Sequence, residues 1–375
     1  MNFSDVYKTM DFAATAARIA EHDAGDPEAV ARARAALDRS EHGLDPEDLV
    51  ALLSPAAAGF LEEMATRAQN LTRRRFGNVM QLYAPLYLSN ECRSTCTYCG
   101  FSYGNDIRRR TLSLDEVKRE GELLYEQGMR QVLLLTGEDW HRTPVDYIGS
   151  AAETLSPMFP QIGIEVYPLQ EEHYTDLRGR GVDGLTVYQE TYDPVRYREG
   201  HLRGQKKKRE YRLDCPDRGG RAGLRRIAIG ALLGLSDPAA EVYTVALHAR
   251  YLMKHYWSTQ VAISLPRLRE AVGFEEVPVL SDAVYLRYLT ALRLFLPDAG
   301  ILLSTRETPR FRDAVAPICI TQMSAGSRTE PGGYSSQEAT EQFQIEDTRG
   351  VEEIRRMLEE RDLEPVFLDW ATVMK

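Results

Sequence analysis

Residues 80–90 read MQLYAPLYLSN, and residues 91–99 that follow read ECRSTCTYC. The first run is rich in β-formers and ends at Asn90, so it reads as a strand. Before it the texture is different. Pro27–Arg39 is rich in Ala and Arg, Asp45-Pro46-Glu47-Asp48 has the composition of a helix start, and Ala57–Arg75 carries apolar residues at helical spacing. Residues 1–78 therefore read as an N-terminal helical extension. After residue 90, strand-like and helix-like segments alternate. QVLLLTGE (131–138), IGIEVYP (162–168), LTVYQET (185–191), RRIAIGALLG (225–234), QVAISLP (260–266), GILLSTRE (300–307) and PICITQMS (317–324) read as strands. Helical patterns over Leu114–Gln127, Val145–Leu155, Glu171–Arg180, Pro238–His255, Ser281–Leu294 and Thr308–Ala314 lie between them. About eight strands in this rhythm predict an α/β fold, a (β/α)8 TIM-type barrel over residues 79–325. A C-terminal extension over 326–375 follows, irregular at first, with a helix from about Gly350 to Arg361.

The longest interruption of the pattern, Asp193–Arg221, is densely charged, and loops of that length are usually functional or disordered. Within it, Lys206-Lys207-Lys208-Arg209 is expected to be a solvated loop.

The chain has 375 residues, 43% of them hydrophobic, which is enough to bury a large core. A formal net charge of −10 argues against a nucleic-acid surface. No apolar run has the length of a membrane span, and MNFSDVYKTM lacks the form of a signal peptide, so a cytoplasmic location is expected. Three of the five cysteines fall within eight residues, and Cys215 and Cys319 are isolated. That clustering points to reduced thiols and a metal instead of a disulfide framework.

Cys92, Cys96 and Cys99 are spaced C-x3-C-x2-C directly after the first strand, at the carboxyl end where barrel active sites form. Three thiolates from one loop can hold three irons of a [4Fe–4S] cube and leave the fourth iron open. A structural zinc site is the competing reading, and it needs a fourth ligand from a distant His, Cys215 or Cys319. The seven histidines form no metal-binding pair. His248 and His255 read as helix-surface or core residues, and His201 has no assigned role.

This cysteine spacing, with an aromatic residue before the last Cys, resembles the signature of the radical S-adenosylmethionine (SAM) superfamily. The resemblance implies that SAM chelates the open iron and is cleaved to a 5′-deoxyadenosyl radical. It places Tyr98 near the adenine, although plain loop packing also accounts for that ring. Thr136-Gly137-Glu138 resembles the Gly-Gly-Glu element that holds the SAM amino group, and it is also an ordinary turn after a strand. Glu190, at the end of an apolar run, contacts SAM by resemblance. If buried it needs a partner, and if exposed it is a surface carboxylate.

Arg306 follows GILLST at a predicted strand end, where a guanidinium can grip a substrate carboxylate through paired hydrogen bonds, with Ser304 adding a hydroxyl. Arg267, in SLPR at another strand end, is a second candidate of this kind and is grouped with the cofactor-binding residues. A salt bridge to a structural carboxylate is the alternative for either.

Longer strings narrow the resemblance. VYQETYDPVRYREGHLRGQKKKREYRLDCPDRGGRAGLRRIAIGALLGL (187–235), VAISLPRLRE (261–270), LLSTRE (302–307) and SAGSRTEPGGYSS (324–336) resemble the aromatic amino-acid lyases of the superfamily, in particular the thiazole-biosynthesis tyrosine lyases (2-iminoacetate synthases, ThiH). That resemblance implies hydrogen abstraction from the amino group of L-tyrosine, followed by Cα–Cβ cleavage to 2-iminoacetate and 4-cresol. It also implies a thiazole synthase (ThiG) as partner and a flavodoxin or ferredoxin as reductant. The hydrogenase-maturation tyrosine lyases carry a second cluster on further C-terminal cysteines, and here no Cys follows Cys319. A tryptophan lyase making 3-methylindole-2-carboxylate and a non-catalytic metal-binding scaffold are the remaining alternatives.

Overall fold

The computed structural model of the chain describes residues 2–275, 277–336 and 338–368. Eight parallel strands close into a barrel: β1 (Val79–Ser89), β2 (Gln131–Thr136), β3 (Gln161–Glu165), β4 (Val182–Glu190), β5 (Arg226–Ala231), β6 (Gln260–Ser264), β7 (Gly300–Leu303) and β8 (Gln322–Ser324). Closure comes from the first and last strands, with Gln81, Leu82 and Tyr83 in register with Gln322, Met323 and Ser324. A short ninth strand, β9 (Glu364–Val366), pairs with Val79–Gln81, so Gln81 has a neighbour on either side. The tail is thereby stitched to the foot of the first barrel strand.

Each strand is followed by helical chain that covers the sheet. The helix Leu114–Glu126 starts on a reciprocal cap between Ser113 and Glu116, and Pro238–His255 starts on Asp237, whose side chain accepts from the Ala240 N–H. Strand residues such as Leu134, Ile162, Ile164 and Ile263 are fully buried under these helices. The N-terminal helices pack on the same layer. Phe3 is completely buried and stacks on His248 at 3.8 Å between centroids, and Tyr7 donates its hydroxyl to the Tyr192 carbonyl at 2.6 Å. His248 is thus a core residue, as expected, its ring Nδ1 2.8 Å from the Tyr192 hydroxyl and its pKa pushed down to about 3 by burial.

Two expectations are corrected. The apolar run 317–324 does not begin as a strand, because the helix Pro309–Cys319 runs through Pro317 and only Gln322–Ser324 joins the sheet. Pro317 has no N–H to give the Asp313 carbonyl one turn earlier, and Arg361 Nε occupies that carbonyl at 2.9 Å. The second correction concerns 193–221. This segment folds into the short helices Pro194–Gly200, Arg209–Leu213 and Cys215–Arg221, and His201–Arg203 pairs antiparallel with Thr95–Cys96 of the cysteine loop.

The ring stack at Phe3 makes a direct prediction. Phe3→Ala removes a fully enclosed side chain that joins the N-terminal helices to Pro238–His255, and should cost about 3–5 kcal/mol of unfolding free energy. Urea denaturation followed by circular dichroism measures it, and a loss below 1 kcal/mol would mean that the N-terminal segment is only loosely held.

Candidate active site

The cysteine loop leaves β1 at the carboxyl end of the barrel and is fixed by its own backbone. Tyr103 N–H donates to the Ser94 carbonyl at 2.9 Å, Cys96 N–H to Ser102 Oγ at 3.2 Å, and Ser102 N–H to the Cys99 carbonyl at 3.0 Å. Gly137, at the end of β2, is where the loop's entry presses closest. A Cβ there would meet the Glu91 carbonyl oxygen at 2.2 Å, so only glycine fits. Cys99 packs with Cys96 on one side and in the same apolar cluster as Cys92 on the other. Burial pushes the Cys92 thiol up to about 11, helped by Glu138 and Cys99, and holds the Cys96 thiol well above its usual value.

Behind this loop lies a buried group of charges. Arg212 Nη1 is 3.0 Å from Glu138 Oε1 and Arg212 Nη2 is 3.4 Å from Glu190 Oε1, while Lys206 Nζ is 2.7 Å from the same Glu190 oxygen. Ser94 Oγ donates to the other Glu138 oxygen at 2.9 Å, which ties the cysteine loop to β2. Burial works to raise the Glu190 carboxyl, but Lys206 and Arg212 outweigh it and bring it below its ordinary value of 4.5. Glu190 also holds a left-handed backbone, φ 69°, where the β4–β5 register shifts between Tyr188 and Glu190. A non-glycine residue in that region stores strain of order 1–3 kcal/mol, which the paired carboxylate helps to hold in place. The run expected to be solvated is divided: Lys206 is inside and Lys207 and Lys208 are exposed.

Tyr98 is buried, its hydroxyl 2.6 Å from His201 Nε2, and His201 Nδ1 lies 2.6 Å from the Tyr197 carbonyl. Burial and Lys206 push the His201 imidazole down to about 3, so it is neutral at physiological pH. His201 therefore positions the Tyr98 ring.

Tyr98, Cys99, Glu190 and Lys206 open on a cavity inside the barrel mouth, whose far wall carries Ser304 and Arg306. The Arg306 guanidinium lies over the Phe343 ring at 3.3 Å from its centroid, and burial lowers its pKa. Among the described residues it has no carboxylate within ion-pair distance. Arg267 behaves oppositely. It is bound to Glu307, to Asp282 at 2.8 Å and to the Leu280 carbonyl at 2.8 Å, and it does not line the cavity. Its geometry is that of a structural ion pair.

Sequence reasoning missed four contributors. Glu165 lines the cavity from β3. Lys206 and Arg212 come from the interrupting segment. Gln342 comes from the tail: it accepts from the Tyr87 hydroxyl at 2.7 Å and approaches the Cys99 sulfur at 3.7 Å. Glu165 was visible as a carboxylate ending an apolar strand. The others had no local signal.

The donor set fits an iron–sulfur cube better than a lone ion. No three His, Cys, Asp or Glu side chains among the described residues converge as a single-ion site. A cube places its thiolates on three separate corners, so they need not converge on one point. A cavity beside the loop, with a guanidinium that has no carboxylate within ion-pair distance among the described residues, leaves room for an anionic ligand.

A closed parallel barrel with a three-cysteine loop at its carboxyl end defines a radical SAM enzyme. The comparisons with known proteins agree. Residues 86–247 match the radical SAM superfamily, and residues 264–364 match the Biotin and Thiamin Synthesis associated domain. The chain is 42% identical to the 2-iminoacetate synthase of Escherichia coli (strain K12), over 99% of this chain and 97% of that one. It is 44% identical to the Salmonella typhimurium enzyme of the same name, over 87% and 88%. A crystal structure of HydG, a maturase of the [FeFe]-hydrogenase, superposes with a TM-score of 0.88 at 32% identity, covering 92% of this chain and 78% of that one. The chain belongs to the 2-iminoacetate synthase family of radical SAM lyases. That membership implies a [4Fe–4S] cluster and SAM, and it does not favour the tryptophan-lyase alternative.

The buried charges make a testable unit. Arg212→Gln leaves Glu138 without its cation and Glu190 with Lys206 alone, and should destabilise the protein by about 3–5 kcal/mol at neutral pH. Because the Glu190 carboxyl is depressed, its ion-pair contribution is full above 4.5 and is lost as the pH falls through the lower folded value. The stability gap between wild type and variant should narrow below that point in urea titrations. A gap independent of pH would place the effect in packing and not in charge.

Proposed function

We propose that the chain cleaves the Cα–Cβ bond of L-tyrosine to give 2-iminoacetate (dehydroglycine) and 4-cresol for thiamine thiazole biosynthesis. The observation that carries this reading is Arg306, a desolvated guanidinium without a carboxylate partner among the described residues, facing a cavity walled by Tyr98 and Cys99. A buried cation of this kind is stabilised by a ligand carboxylate. Cys92, Cys96 and Cys99 would hold the [4Fe–4S] cluster. Tyr98, Gly137, Glu138 and Glu190 would line the SAM site, with Lys206 and Arg212 keeping the two carboxylates in place. Bound together, cluster and SAM would supply the radical chemistry that removes one hydrogen atom from the substrate amino group.

The protein's contribution is positional. Arg306 and Ser304 fix the carboxylate, and so limit where the attached amino group can sit. Loop and tail both wall the cavity, through Cys99 on one side and Gln342 and Phe343 on the other. Cleavage leaves the imine and a hydroxybenzyl fragment, which takes up one electron and one proton to leave as 4-cresol. A flavodoxin or ferredoxin would supply the electrons, and a thiazole synthase (ThiG) would receive the imine. No single helix among the described residues is long and apolar enough to cross a membrane, which accords with a cytoplasmic enzyme.

Anaerobic reconstitution with iron and sulfide, followed by SAM, dithionite and tyrosine, should give 4-cresol and 5′-deoxyadenosine. Cys92→Ala, Cys96→Ala and Cys99→Ala should each abolish both. Arg306→Ala should lower kcat/KM for tyrosine by roughly 100-fold, the worth of a lost charge-assisted pair, with SAM affinity changed by less than about twofold. Product from tryptophan and none from tyrosine would overturn the substrate assignment.

A further inference from the structure

Among the described residues, Glu165 is the one carboxylate of the cavity wall that the charge network does not use. In β3, Ile162 and Ile164 are fully buried under the helices, and strand alternation turns Gly163 and Glu165 to the barrel interior. Glu165 stands beside Leu135 in the β2–β3 register. It lines the same cavity as Tyr87, Leu133, Leu135, Tyr188 and Arg306.

Glu138 and Glu190 each have cations within hydrogen-bond reach, but Glu165 has neither an ion pair nor a hydrogen bond among the described residues. Burial raises its carboxyl to about 7, with Glu190 adding to the rise and Arg306, Arg212 and Lys206 opposing it. A carboxylate inside the barrel mouth without a protein partner is costly to keep out of bulk water, and the cost is recovered where a ligand supplies the missing donor.

Topology says which end of the ligand reaches it. Arg306 follows β7, and β3 lies four places away in a ring of eight, on the opposite side of the barrel. A substrate whose carboxylate sits on Arg306 points its side chain away from that wall. Its ring then lies among Tyr87, Leu133, Leu135 and Tyr188, and its far end arrives on the side of β3.

We propose that Glu165 accepts the hydrogen bond of the substrate's phenol hydroxyl and thereby selects a 4-hydroxylated aromatic amino acid. The inference rests on the tyrosine-lyase reading above and adds the residue that recognises the hydroxyl. A site built to bind a hydroxyl rejects the analogue that lacks it far more strongly than an apolar pocket rejects one that carries it, because the buried polar group is left without a partner.

The test uses the reconstituted holoenzyme with tyrosine and phenylalanine in parallel. It reads kcat/KM for 5′-deoxyadenosine formation and equilibrium amino-acid binding in the presence of SAM. Wild type should prefer tyrosine by at least ~100-fold. Glu165→Ala should lower the tyrosine value by roughly 100-fold and change the phenylalanine value by less than about threefold, so that discrimination collapses. Glu165→Gln, which keeps an acceptor oxygen without the charge, should fall between them and provides the measurement if the alanine variant fails to fold. An unchanged tyrosine-to-phenylalanine ratio in either folded variant, or equal loss with both substrates, overturns the proposal. Wild type that makes no cresol from tyrosine overturns the underlying reading, and the inference falls with it.

Discussion

Arg212 between Glu138 and Glu190 is the interaction on which the arrangement of the site depends. The two carboxylates end β2 and β4, and the guanidinium comes from the segment that interrupts the barrel after β4. Taking any of these charges out of water alone would cost several kcal/mol, so the group persists only as a set. Lys206 on Glu190 and Ser94 on Glu138 complete it. Two acids, two cations and the Ser94 hydroxyl, with interlocking hydrogen bonds, fix the positions of four chain segments at once. One of these is the loop that carries the cysteines, so the position of the thiols depends on an ion-pair network outside their own motif.

The tail closes the same site from above. Gly100 N–H donates to the Gln342 carbonyl at 3.1 Å, and the Gln342 side chain reaches both Tyr87 and the Cys99 sulfur. Phe343 lies under Arg306. A guanidinium stacked on an aromatic face keeps its in-plane N–H groups free, so Phe343 orients the fork without using its donors. The residues after the barrel therefore do more than cap it: they form part of the cavity wall. Further along, the tail is anchored by the fully buried ion pair of Arg312 with Asp347 and by β9 against β1.

How much of this could be read from the sequence follows from the range of the interactions. The barrel was legible because each strand and its covering helix carry their own periodicity, and Val145–Leu155 and Pro238–His255 end where the pattern ends. The cysteine loop and Arg306 were legible because motif and strand end are local features. Lys206 and Arg212 were not, because a cation is buried only when its acid is brought to it from elsewhere. Arg212 meets Glu138 across 74 residues, and Gln342 meets Cys99 across 243. The run 317–324 misled because a short apolar stretch fits a strand and a buried helix turn equally well. Arg267 misled for a related reason. Its strand-end position matched that of Arg306, and only the fold shows Glu307 beside it.

The same comparison separates structure from ligand binding. Arg267 and Arg306 both follow barrel strands, and Glu190 and Glu165 both end them, so position alone does not distinguish them. Pairing does. Arg267 and Glu190 are satisfied by protein charges, so the cost of burying them is met when the chain folds and neither calls for a ligand's charge, although Glu190 still borders the cavity. Arg306 and Glu165 lie across one cavity from each other, and neither has an ion pair among the described residues, although each feels the other's charge at longer range. Neighbours could have neutralised them as they neutralise Arg212. A ligand with an anion at one end and a hydrogen-bond donor at the other gives Arg306 a counter-charge and Glu165 a donor together, and an amino acid with a phenol side chain has that pattern.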